Sequence, residues 1–165
     1  MASIEIEELV ALARGAEGCS VLPPAGLPQV DPPLRLPGDL GRFYELCGGA
    51  DLFLSQDYGI TISPPGQLIP SNIAIIGEQY PDDITATWFT IGVTPDSDYI
   101  SIDLSPERNG RCYDSFHDSH GIVGSSPVIA VSFADLLERL LRSRGGYWYW
   151  LDAHFSDLGD AYDQV

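Results

Sequence analysis

Residues 84–116 read ITATWFTIGVTPDSDYISIDLSPERNGRCYDSF, and their spacing decides the fold class. ITATWFTIGV and DYISIDL alternate β-branched and aromatic residues, as befits a chain whose side chains point to opposite faces of a sheet. TPDS between them supplies the turn of a hairpin. SPER then leads into Asn109-Gly110, a strong turn signal because glycine tolerates positive φ. RCYDSF leaves that turn as the next strand. Strands joined this tightly predict an antiparallel meander.

Upstream, DLFL and YGITIS are short apolar runs flanked by turn residues, and NIAIIG at 72–77 reads as a further strand after the loop PPGQLIPSN. RLPGDLGRFYELCGG predicts a helix opened by Pro37 at the first position, with Leu36, Leu40, Phe43, Tyr44 and Cys47 on one face. Gly48 or Gly49 supplies its left-handed stop. Asp39 sits in the first turn, where the helix dipole favours an anion. Residues 20–37, SVLPPAGLPQVDPPLRLP, hold too much proline for a helix or a central strand and predict an extended connector. Ser3 to Arg14 predicts a first short helix, buried through Ile6, Leu9, Val10 and Ala13.

Downstream, SFADLLERLLRSRGG predicts a strongly amphipathic helix. Ser132 and Asp135 have capping-box spacing, and Phe133, Leu136, Leu137, Leu140 and Leu141 form an apolar stripe. Arg139, Arg142 and Arg144 lie towards the negative end of the dipole. Such a helix belongs packed on the sheet. The end of the chain, YWYWLDAHFSDLGDAYDQV, carries four consecutive aromatics, Tyr147 to Trp150. They serve either burial or, in part, an exposed recognition surface.

The 165 residues predict one domain with a real core, 1–165, of α+β class: an antiparallel meander with helices packed on it. Charge is the unusual property. Asp and Glu number 24 against 8 Lys and Arg, for a formal net charge of -16, and every strong base is an arginine. Such a surface repels nucleic acid and anionic membranes; it aids solubility and attracts basic proteins. Cys19, Cys47 and Cys112 form no metal or redox spacing and read as reduced thiols of a cytoplasmic protein. MASIEIEELVALARG has acids where a signal peptide needs bases, and no stretch is apolar enough to span a bilayer.

GRCYDSFHDSHG, residues 110–121, is the densest cluster of reactive side chains. Cys112, His117 and His120 would bind zinc if they converged. Strand alternation, however, puts Cys112 on one face with Asp114, while the histidines follow in a loop, so no metal and no cofactor are expected. GSS at 124–126 lacks the setting of a nucleophile elbow, and no phosphate-binding glycine loop occurs. Asp82, Asp83, Asp96, Asp98, Asp103 and Glu107 offer carboxylates, but acids at turns are too common to specify acid–base catalysis.

The order of segments resembles the SUKH (Smi/Knr-like) superfamily, which includes fungal cell-wall-synthesis regulators and many bacterial immunity proteins of polymorphic toxin systems. The resemblance rests on LPGDLGRFYELCGG, the pair WFTIG and DYISIDL, NGRCYDSF and SSPVIAVSFADLLERLL, and it spans about residues 36–142. The connector at 15–35 and the aromatic, acidic segment at 145–165 lie outside it. The resemblance implies an α+β domain with a binding role and no transferable catalytic residues. Immunity members neutralise a cognate toxin, often a nuclease, by binding it.

The leading expectation is therefore a non-enzymatic, cytoplasmic immunity-type binder of a basic toxin domain. Its binding surface is placed at Asp96, Asp98, Asp103 and Asp114 with Trp148 and Trp150. A regulatory or scaffold adaptor with a housekeeping partner is the alternative. A small metal-dependent hydrolase built on residues 112–120 is the remote one.

Overall fold

The structure is a computed structural model and describes residues 4–163. The antiparallel meander is present, although two of the predicted strand stretches do not join it. Seven strands lie in chain order in one sheet, each antiparallel to the next: β1 Cys19–Val21, β2 Ala50–Leu52, β3 Ile60–Ile62, β4 Trp88–Val93, β5 Tyr99–Asp103, β6 Cys112–Ser115 and β7 Val128–Ala130. The β4–β5 hairpin pairs Trp88 with Asp103 and Val93 with Tyr99, with a register shift between Thr90 and Gly92. Gly110 takes the positive φ of 93° that the turn before β6 requires.

Three helices cover one face of the sheet: α1 Ile6–Gly15, α2 Gly38–Leu46 and a long final helix at Phe133–Ser143. The first buries Ile6, Leu9, Val10 and Ala13, as its spacing predicts. Phe43 of α2 meets Phe133 edge-on at 4.8 Å. Below them Ile91, Ile100, Ile102, Cys112 and Ile129 close the main core. Ser132 caps the final helix by accepting from the Asp135 N–H at 3.0 Å, while Asp135 accepts from Val131 N–H. Asp39 reaches across from α2 to accept from Ala134 N–H at 2.8 Å, so one acid serves the first turns of two helices.

The opposite face of the central strands carries Trp88, Thr90, Ser101, Asp103, Tyr113 and Ser115, all buried. Its cover explains the main departure from expectation. NIAIIG is not a strand; Ser71–Ile75 forms a short helix, α3. A short apolar run suits either conformation. Here Ser71 and Asn72 both send side chains inward, Ser71 to Ser101 at 2.7 Å and Asn72 to Thr85 at 3.0 Å. Adjacent residues can do that on a helix but not on a strand. The Phe133–Ser143 helix is accordingly α4.

Smaller differences follow similar logic. Residues 84–87 are a 3-10 turn, with Asp83 accepting from Thr85 N–H, so the strand begins only at Trp88. Pro37 stands at the N-cap of α2 rather than one residue inside. Its C-cap, Cys47, is extended (φ -159°), which leaves Gly49 (φ 114°) to the turn into β2. Strand β7, three residues behind Pro127, is too short to show a period. β1 takes the first residues of the proline-rich connector and holds to the edge of the sheet, where one neighbour suffices.

Candidate functional site

At the end of α4 the chain turns through Arg144 in the left-handed region (φ 53°) and Gly145 (φ 71°). A Cβ on Gly145 would stand 2.7 Å from Phe53 Cβ, so only glycine lets the turn lie against the loop after β2. The carbonyl of Gly145 accepts from Tyr58 N–H at 3.1 Å. This seam brings the aromatic run after α4 beside Tyr58 and the end of β6.

Four aromatics then divide into inner and outer members. Tyr149 is buried and donates its hydroxyl to the Ile129 carbonyl at 2.6 Å. Trp150 is buried and donates its indole N–H to Asp114 Oδ2 at 3.0 Å. Trp148 stacks on Trp150 (5.3 Å, 26°) and makes T-shaped contacts with Phe116 and Tyr58 at 5.6 and 5.2 Å. Outside it, Tyr147 and Leu151 are 48% and 66% exposed, and Tyr58 is 39% exposed. Tyr58, Tyr147, Trp148, Leu151 and Asp152 line an open cleft of about 470 Å³.

The acids named from sequence separate by environment. Asp96 is exposed on the β4–β5 turn. Asp98, partly exposed, accepts from the His117 backbone N–H at 2.9 Å and lies 2.6 Å from His117 Nδ1. Asp103 is not a surface acid. It is 0% exposed and accepts from Thr87, Ser105, Arg108 and Tyr113. Strand alternation turns it towards the face that α3 covers, and its four donors replace the water it loses. Asp114 is buried too, accepting from Phe116 N–H at 2.9 Å as well as from Trp150. Burial pushes its carboxyl above the usual range, and Asp98 adds to the push. Asp103, Asp114 and Trp150 thus work inside the protein; Asp96, Asp98 and Trp148 reach its surface.

Cys112, His117 and His120 do not converge. Cys112 lies in the helix-side core, His117 faces solvent with Asp98, and His120 is buried on the opposite face of the sheet. Among the described residues no three His, Cys, Asp or Glu side chains are grouped to hold a metal ion.

The model of the SMI1 / KNR4 family (SUKH-1) matches residues 33–139. The chain belongs to the SMI1/KNR4 family. It is similar to "Immunity protein YokJ" of Bacillus subtilis (strain 168), with 42% identity over 162 residues that cover 98% of each chain. No solved structure matches it. The SUKH-1 match ends within α4, so the cleft joins Tyr58 from inside it to residues 147–152 from outside it.

The face of this SUKH-1 sheet away from the three helices holds a directional chain of hydrogen bonds. Asn72 uses its amide N–H groups on Gln79 and Thr85, so its oxygen accepts from His120 Nε2 at 2.7 Å. His120 Nδ1 is then an acceptor, and Ser115 donates to it at 3.0 Å. Ser101 stands 2.5 Å behind Ser115. At the other end Asp83 accepts from Thr85 and from the Tyr162 hydroxyl. Burial holds His120 neutral by lowering its pKa to about 4, against the opposing pull of Asp83. Ser115 and His120 resemble a nucleophile and its base in type alone: Ser115 is fully buried, beyond the reach of a substrate.

Sequence reading missed Tyr58, Phe116, Leu151 and Asp152, and singled out Tyr147 only as the first member of the aromatic run. Tyr58 and Phe116 flank strands, and no local pattern ties them to a segment some 30 to 90 residues later. Only the run of aromatics after α4 carried a signal.

Proposed function

We propose that this chain is an immunity protein: a non-catalytic binder that occludes a cognate toxin domain in the cytoplasm of the cell that makes it. Similarity to Immunity protein YokJ over nearly the whole of both chains carries the reading. The chemistry of the surface supports it. Four arginines are already tied to acids of the chain itself: Arg42 to Glu7, Arg108 to Asp103, Arg139 to Asp135 and Arg142 to Glu138. With a net charge of -16, most carboxylates remain uncompensated and favour a basic partner, such as a nuclease domain that grips phosphates. The same field disfavours nucleic acid itself. Among the described residues no helix is long and apolar enough to cross a membrane.

In this reading acids such as Asp96 and Asp98 steer the encounter, and the part-buried Trp148 with its exposed neighbours supplies apolar contact after docking. Neutralisation is steric, so it needs no turnover. The test is co-expression with candidate toxin domains drawn from the genes adjacent to this one. Restored growth together with co-purification supports the proposal; a toxic phenotype unchanged by the protein, with no complex recovered, removes it.

A further inference from the structure

The protein holds one arginine of its own against a corner of two aromatic rings, Tyr149 and Phe155, whose centroids lie 5.6 Å apart at 65°. The guanidinium of Arg139 lies over Tyr149 at 5.6 Å and over Phe155 at 5.3 Å, and its Nε donates to Asp135 at 2.9 Å. Two rings and a carboxylate make a complete receptor: the rings offer their negative faces and the acid offers charge and a directed acceptor. The cleft on the other side of residues 147–152 has the same composition. Tyr58 and Trp148 meet at 84° with centroids 5.2 Å apart, forming an aromatic corner, and Asp152 stands on its rim. Among the described residues no arginine lines it, and both cation–π contacts belong to Arg139.

The corner is also held ready. Trp148 is braced from behind by Trp150 and Phe116, and Trp150 is itself fixed by Asp114. Little conformational freedom remains to be lost on binding. Among the described residues Asp152 has one ion-pair partner, the exposed His154 at 3.6 Å. Arg139 and Arg142 line the neighbouring cleft but are held by Asp135 and Glu138, so the Asp152 carboxylate remains open to a stronger donor. The strongly negative chain around the cleft raises the local concentration of cations.

We infer that the Tyr58–Trp148–Asp152 cleft receives an arginine side chain of the protein partner, its guanidinium stacked in the aromatic corner and paired with Asp152. The inference rests on the immunity reading for the identity of that partner. Arginine fits better than lysine because a planar, weakly hydrated guanidinium stacks on a ring while donating in its plane to a carboxylate. About 470 Å³ admits that side chain together with flanking backbone.

Two experiments separate this inference from the reading it rests on. The first titrates the purified protein with N-acetyl-arginine amide and, separately, with the neutral isostere N-acetyl-citrulline amide, following the tryptophan indole and Asp152 signals by NMR. Saturable shifts at Trp148 and Asp152 with the arginine compound alone are expected. Equal response to both compounds, or response to neither, overturns the inference whatever the partner is. The second measures affinity for the toxin domain that co-expression identifies. Trp148→Leu should weaken it roughly 30-fold and Asp152→Asn roughly fivefold, with Tyr58→Leu as a further variant that leaves the Trp148–Trp150 stack in place. Wild-type binding with undiminished affinity in all three variants would leave the immunity role standing and remove the arginine site.

Discussion

Lowering the pH should destabilise this protein through His120 before it touches most of the carboxylates. The folded state keeps His120 neutral, with a pKa of about 4, whereas an unfolded chain titrates near the ordinary value of 6.5. Between those values the unfolded state binds the extra proton, so stability falls as pH drops through 6.5 and levels off below 4. Integration from neutral pH to pH 5 gives a loss of roughly 2 kcal/mol, less what its remaining 7% exposure screens. Two carboxylates set the competing slopes: Asp83, whose charge pulls on the ring, and Asp114, on the other face of the sheet. Hydrogen bonds from Thr85 and Tyr162 hold Asp83 low against its burial, so its stabilisation is lost only below the usual carboxylate range. Asp114, raised by burial, gains from acidification and works in the opposite direction. Urea unfolding of wild type and His120→Gln at several pH values isolates the histidine: the variant should be weaker at neutral pH and lack the decline between pH 6.5 and 4. Histidine NMR of the folded protein is the independent check. A His120 that titrates near 6.5 while the protein stays folded would refute the neutral, donor–acceptor arrangement inferred for the ring.

Other consequences are as direct. Asp103→Asn keeps the shape but strips a fully buried charge from Arg108, Tyr113, Thr87 and Ser105; denaturant unfolding should show a loss of about 3 kcal/mol. Tyr149→Phe removes the hydroxyl bond to Ile129 and leaves a buried carbonyl unpaired, costing about 1–2 kcal/mol in the same assay. Ser132→Ala takes away the N-cap of α4 and should cost about 1 kcal/mol. Asp96→Asn and Asp98→Asn together should slow association with the toxin domain and flatten its salt dependence, while stopped-flow dissociation stays nearly unchanged.

What was legible from sequence depended on how local its cause was. The β4–β5–β6 meander announced itself because alternation and turn residues lie within 33 contiguous positions. α4 did so because its stripe, cap and terminal arginines all agree. Ser71–Ile75 misled because its helical state is dictated by Ser101 and Thr85, distant partners of Ser71 and Asn72. The same distance limits the reading of sites. Asp96 and Asp103 look alike as turn and strand-end acids, yet one meets water and the other meets four donors. The corner made by Tyr58 and Trp148 exists only because Gly145 lets the chain fold back on the loop after β2.

A titration of the toxin's own activity with purified protein tests the account most directly. A steric blocker should reduce that activity in proportion to the amount added and reach completion at a fixed, near-equimolar ratio, with intact toxin recovered when the complex is taken apart. Inactivation by a small fraction of an equivalent, or full activity in the presence of excess protein, would contradict it.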